Sequence, residues 1–159
     1  MKKIFFVLLT IVVVIACSKT ENPATIYLPL TKENIAGSYK ITDLTFKFAD
    51  TALEYSLYNV DTVFKSCKKD DIISFDTNYT YMYKDSGTIC DTLNTTSIAT
   101  YVLTGPNLIS NIKTIEPNYS TYIVQSLSIN QLILTRTFVI PLFGGTKQGN
   151  LKVTLTKQP

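Results

Sequence analysis

The 159-residue chain contains no histidine, no tryptophan and a single arginine. The missing histidine excludes Ser-His-Asp and Cys-His catalysis, HExxH zinc sites and any metal centre built on imidazole. No Cys-x-x-Cys pair occurs, which removes the usual redox dithiol. No glycine-rich loop runs into Gly-Lys-Ser/Thr, so the phosphate-cradling motif is missing too. Lys and Arg number 15 against 12 Asp and Glu, formally +3. That excess is small and scattered, unlike the basic stripe of a nucleic-acid binder. There is no internal repeat and no low-complexity tract. The length suits one domain with a real core. These absences point to a protein that binds or supports, not an enzyme, with no cofactor and no metal.

What is present begins with Lys2 and Lys3, followed by residues 4–15, apolar apart from Thr10. About a dozen apolar residues make a signal-peptide core, whereas a transmembrane helix needs roughly 20. Val14-Ile15-Ala16-Cys17 then resembles the bacterial lipobox. That resemblance implies cleavage before Cys17 and acylation of its thiol and new amino group. Two or three acyl chains hold a protein stably on a membrane where one does not. An ordinary signal peptide or a short signal-anchor is the competing reading. The expected organisation is a signal peptide over 1–16, a lipidated tether over 17–30 and a domain over 31–159. Residues 18–29 are polar with two prolines and read as an extended, mobile tether, a short edge strand at 25–28 being the alternative. Removing 16 residues leaves 143, of which 59 (about 41%) are hydrophobic, with 13 basic and 12 acidic side chains.

With Cys17 acylated, Cys67 and Cys90 remain as an even pair in an exported chain, where oxidising conditions favour a disulfide. A metal site is the poorer reading, since two thiols without histidine make a weak ligand set.

The rest is rich in Thr, Ile, Tyr and Val, and its periodicity is close to two. One short helix is expected over 32–36, capped by Thr31 and ended by Gly37. Strands are expected over 37–48, with a bulge near Thr42-Asp43, and over 71–76, 79–85, 97–104, 108–114, 119–128, 130–140 and 151–157. Residues 49–67 read as a long loop with at most one irregular strand, and 141–150 as a Gly-rich loop. About eight antiparallel strands joined by hairpins make an all-β, up-and-down barrel the economical fold, with a β-sandwich as the alternative.

Residues 35–41 (Ile-Ala-Gly-Ser-Tyr-Lys-Ile) resemble the short helix and Gly-x-Trp-x-aliphatic start of lipocalin-like domains found in lipoproteins of Bacteroidota. The middle is similar as well: Cys67, Asp70-Asp71, Ile73-Ser74-Phe75, Asn78-Tyr79-Thr80-Tyr81, Gly87 and Cys90. Strands at 101–103, 122–124 and 132–134 complete the pattern. Two departures stand out. Tyr39 replaces the usual Trp, and Asn78-Tyr79 replaces the usual Asn/Asp-Gly turn. The resemblance implies an eight-stranded calyx on an outer-membrane lipoprotein, facing the periplasm or the cell surface; a shared fold implies no particular function.

Several residues are candidates for chemistry. Tyr79, Tyr81 and Tyr83 alternate along one strand, so their rings can share a face and line a cavity for a small amphiphile. Arg136, mid-strand, can bind an anionic group or stack on an aromatic ring. Leu142 and Phe143 are candidates for a lid in the Gly-rich loop. Asp70-Asp71 reads as a solvated surface turn; a calcium site with Asp76 lacks EF-hand spacing. Asp50-Thr51-Ala52, Asp61-Thr62-Val63 and Asp91-Thr92-Leu93 each resemble the Asp-Ser/Thr-aliphatic O-glycosylation site of Bacteroidota, making Thr51, Thr62 and Thr92 candidate acceptors. Two functions follow as expectations. Either the barrel holds a small apolar or amphiphilic ligand, or side chains fill it and its loops dock a partner in the envelope.

Overall fold

The computed structural model describes residues 25–61, 63–90, 96–110, 120–142 and 145–159. The elements are α1 (Lys32–Ile35), β1 (Gly37–Phe48), β2 (Glu54–Ser56), β3 (Ile72–Phe75), β4 (Thr80–Lys84), β5 (Thr96–Thr100), β6 (Val102–Thr104), β7 (Asn107–Ser110), β8 (Ser120–Leu127), β9 (Gln131–Leu142) and β10 (Gly145–Lys157), with a 3-10 turn over Ser66–Lys68.

Thr31 opens α1 by accepting a hydrogen bond from the Asn34 amide at 3.2 Å, which satisfies one of the free donors of a helix start. Gly37 lies at φ +145 beside the stem of Lys157, whose ammonium donates to the Ala36 carbonyl at 2.8 Å. β1 then pairs with β10 from Tyr39–Lys157 to Phe48–Gly149, and its register slips between Ile41 and Asp43. The extra residue, Thr42, is the expected bulge. It lets Tyr39, Ile41, Leu44 and Phe46 all face inward despite the change of phase.

All ten strands belong to one antiparallel sheet, ordered β5-β4-β3-β1-β10-β9-β8-β7-β6, with β2 paired to the upper part of β1. The two ends of that path, β5 and β6, are consecutive in the chain and separated only by Tyr101. One run of chain therefore bends across the seam, and the sheet curls into a nearly closed barrel. Tyr101 is buried at the bend. Its amide donates to the Tyr79 carbonyl at 2.9 Å and its hydroxyl to the Asp76 carbonyl at 2.6 Å. The all-β barrel expectation holds, and a two-sheet sandwich does not form. The count of eight falls short for two reasons. The strand expected over 97–104 is split at Tyr101, and the irregular 49–67 stretch contributes β2.

Two further expectations need correction. No loop spans 141–150, because β9 runs to Leu142 and β10 starts at Gly145, with Pro141 paired to Thr146. β8 pairs with β9 no further than Thr135. Beyond that point β9 has no second neighbour among the described residues, and at such an edge a residue without an N–H is tolerated. The tether is also shorter than expected. Tyr27 bridges to Ser128, the Leu28 amide donates to the Leu127 carbonyl at 2.8 Å, and Leu28 and Leu30 pack against the core. From residue 25 onward the chain is docked, as the edge-strand alternative had it; Cys17 and the signal segment lie outside the described residues.

The core is one contiguous cluster. Ile35 from α1 lies at one end and Phe64 from the 57–71 connection joins from the other, with Tyr39, Phe75, Tyr81, Tyr83, Tyr101, Tyr122 and the inward aliphatic side chains between them. Tyr39 donates its hydroxyl to the Ile35 carbonyl at 2.8 Å, joining β1 to α1.

Candidate functional site

The tyrosine row does not act as one face. Tyr81 and Tyr83 are buried, but Tyr79 is 43% exposed. Tyr79 lies at φ +62, the left-handed position a glycine would fill more easily. The Asp76 carboxylate holds this turn, accepting from the Asn78 and Thr80 amides at 2.8 Å each. The Tyr79 ring tilts onto Tyr101, 5.5 Å away between centroids. With Tyr79 in the turn, only two of the three rings reach the interior.

At the other end of the β3–β4 hairpin the structure builds a polar cluster that the sequence hides. The expected solvated turn at Asp70-Asp71 is wrong for Asp71, which is 1% exposed. Tyr83 donates its hydroxyl to Asp71 Oδ2 at 2.5 Å and accepts from Lys68 Nζ at 2.6 Å. Lys68 Nζ also lies 3.6 Å from Asp71 Oδ2 and 3.5 Å from Asp85 Oδ2. The Cys90 amide donates to Asp85 Oδ2 at 3.2 Å. Asp70 stays nearer the surface and accepts from the Thr88 amide at 2.9 Å. Gly87, between these partners, lies at φ +68 with no room for a Cβ beside the Asp70 carboxylate.

The Cys67–Cys90 disulfide forms across this cluster, with a Cα–Cα distance of 5.5 Å. It joins the connection that delivers Phe64 to the segment after β4. Burial raises the Asp71 carboxyl above its ordinary range, against the opposing pull of Tyr83 and Lys68. Burial, and next the hydrogen bond to Asp71, raise the Tyr83 hydroxyl far above its usual value. Lys68 is held between two carboxylates and a phenol, so its charge is spent on closing this end of the barrel. Among the described residues no group of three Cys, Asp or Glu side chains is set to hold a metal ion.

The other candidates disperse. Arg136 lies on β9, paired with Leu151, four strands from β4 in the sheet order. It shares the inward parity of Leu132 and Leu134 and is half-buried. Leu142 ends β9 within the hairpin and belongs to no lid loop; Phe143 lies outside the described residues. Thr51, after β1, donates to the Leu53 carbonyl at 3.4 Å, and its neighbour Asp50 pairs with Lys147 at 2.9 Å. Thr62 and Thr92 fall outside the described residues.

Sequence reasoning also missed two hydroxyls on one inner face of the β7–β8 ladder. Tyr122 and Ser110 are fully buried, and among the described residues neither hydroxyl has a hydrogen-bond partner. Burial pushes the Tyr122 hydroxyl up to about 12. Two open grooves, of about 400 and 540 Å³, lie outside the barrel on either side of the docked 25–28 segment. Ile26 and Ile129 line the first, and Tyr27 and Ile133 the second.

Comparison of the chain with known protein families, with curated proteins and with solved structures finds no match, so its own residues carry the functional argument.

Proposed function

We propose that this chain is a lipoprotein of the cell envelope, acylated at Cys17, whose barrel is a filled docking module. The observation that carries this reading is the core itself. Tyr81 and Tyr83, the residues best suited to line a ligand cavity, are packed into one continuous cluster that Ile35 closes from one end and Phe64 from the other. Cross-linked and charge-neutralised at the Phe64 end, such a barrel presents a rigid surface and offers little space for a drug-sized ligand, which needs roughly 300 Å³ or more. Native mass spectrometry of protein purified from its own membrane tests the reading. The expected mass is the processed polypeptide plus acyl chains. A stoichiometric small molecule that co-purifies overturns it in favour of a ligand-holding calyx. Cys17→Ala is expected to move the protein from the membrane fraction to the soluble one; retention of the variant removes the acyl anchor.

The calyx reading has one observation in its favour. The buried Tyr122 and Ser110 hydroxyls face inward without partners among the described residues, as the polar end of a small amphiphile would require. The same mass measurement decides between the two.

A further inference from the structure

The exposed apolar side chains nearest the N-terminal boundary of the domain lie close together and away from charge. Ile26 is 58% exposed, Tyr27 68% and Ile129 49%. The docked 25–28 segment carries the first two, and the β8–β9 turn beside it carries the third. None of the residues lining the two flanking grooves has a charged side chain, in a chain with 27 Lys, Arg, Asp and Glu residues in all. A surface of this kind loses little on leaving water, because no ion is desolvated.

Its position says what covers it. Eight residue steps separate Cys17 from Thr25, and a fully extended chain advances at most about 3.6 Å per step. The domain therefore begins within about 29 Å of the acylated residue, and the segment docked at this boundary places Ile26, Tyr27 and Ile129 at the end of the barrel nearest the anchor. Isoleucine and tyrosine suit the boundary between headgroups and acyl chains, where tyrosine puts its ring in the apolar layer and its hydroxyl in the polar one.

We infer that the Ile26–Tyr27–Ile129 face seats on the lipid surface into which the Cys17 acyl chains insert. The barrel then stands on the membrane instead of swinging from a loose tether. This inference rests on the acyl-anchor reading above. One short tether and one uncharged apolar face cooperate here, since the anchor holds the face at high effective concentration over the bilayer.

The chain has no tryptophan, so one introduced residue reports its own surroundings without background. Ile129→Trp is compared with Val139→Trp, a site 58% exposed and ten residues further on; the stretch of β9 from Gln131 to Val139 alone spans about 27 Å at strand rise. Both are made in the full chain, processed in the native host and reconstituted in vesicles of phosphatidylethanolamine and phosphatidylglycerol. The expected result is a blue-shifted emission, quenched by brominated lipid, for Ile129→Trp and neither effect for Val139→Trp. If the protein floats with the vesicles but the two sites behave alike, the seating is overturned while the anchor stands. If Cys17→Ala floats equally well, or the processed protein does not float, the anchor reading fails and the seating falls with it. A blue shift already present in soluble Cys17→Ala protein, rising with its concentration, assigns the face to a second copy and overturns the lipid assignment.

Discussion

Tyr83 accepts a hydrogen bond from Lys68 and donates one to Asp71 within a single buried chain, at 2.6 and 2.5 Å. The phenol is thus the link between a cation and a carboxylate that are themselves 3.6 Å apart. Tyr83→Phe removes both bonds and leaves buried Asp71 Oδ2 without its hydroxyl donor, the Ser86 amide remaining on Oδ1. Hydrogen bonds to charged groups contribute roughly 1.5–3 kcal/mol, so the variant is expected to lose about that much in urea unfolding. A double-mutant cycle with Asp71→Ala should show coupling above about 0.5 kcal/mol; additive losses would mean the two groups act independently.

Asp71 gives the fold a pH dependence of definite sign. Burial favours its protonated form in the folded state, so the native protein binds more proton than the unfolded chain. Its contribution is fully present below the unfolded value of about 3.9 and is lost as pH rises through the raised folded value. Asp71→Asn cannot ionise. Its stability relative to the unaltered protein should therefore rise with pH from about 4 upward, as read from denaturation midpoints. A relative stability of the variant that stays flat or falls over that range contradicts the assignment.

At alkaline pH the buried phenols dominate. Burial pushes Tyr39, Tyr101 and Tyr122 each up to about 12, against about 10 in an unfolded chain. The folded state keeps these protons longer, so stability falls as pH rises through 10 toward 12. Tyrosinate absorbance is expected to show a cooperative rise that coincides with loss of the β-sheet circular dichroism signal. A single smooth titration with the fold intact would show that these rings are accessible.

The disulfide closes a loop with a sequence separation of 23. Chain-entropy arguments give about 3 kcal/mol for a loop of that size. The Cys67→Ser, Cys90→Ser double variant should lose about this much by calorimetry. It should also expose the Lys68 cluster, seen as faster amide exchange at Cys90→Ser and Ser86. Unchanged exchange there would separate the cross-link from the cluster.

Gly87 and Gly105 both have positive φ, at +68 and +57, but only at Gly87 would a Cβ strike a neighbour, the Asp70 carboxylate. Gly105→Ala carries the left-handed cost alone, of order 1 kcal/mol. Gly87→Ala adds displacement of Asp70 from the Thr88 amide, and its unfolding midpoint should drop further. Equal losses would show that Asp70 moves aside freely.

The local features of the fold were legible where the sequence pattern is local. Thr31 before α1, the phase change at Thr42 and the Leu151–Leu155 alternation each carry their meaning within a few residues. The disulfide followed from the cysteine count together with the lipobox resemblance. Asp71 misled because its burial depends on Lys68 from the preceding connection and Asp85 from beyond β4, partners that no spacing rule joins. Tyr79 misled because alternation predicts a face only while φ stays negative, and this residue turns through the left-handed region instead. The 141–150 stretch looked like a loop on its one proline and its glycines, yet its backbone partners lie across a hairpin long enough to absorb them. Inner residues such as Tyr122 and Ser110 needed the β7–β8 register before they could be placed together.

The ladder between β1 and β10 joins Tyr39 to Lys157 and Phe48 to Gly149, nearly the whole domain apart in sequence. One edge of β1 therefore stays open until the last strand arrives, and no shorter part of the chain can close the barrel. Contacts of such separation make folding slow. The barrel therefore sets only once β10 has reached β1, and any loss of the Leu151–Lys157 end of that ladder leaves the whole sheet unclosed.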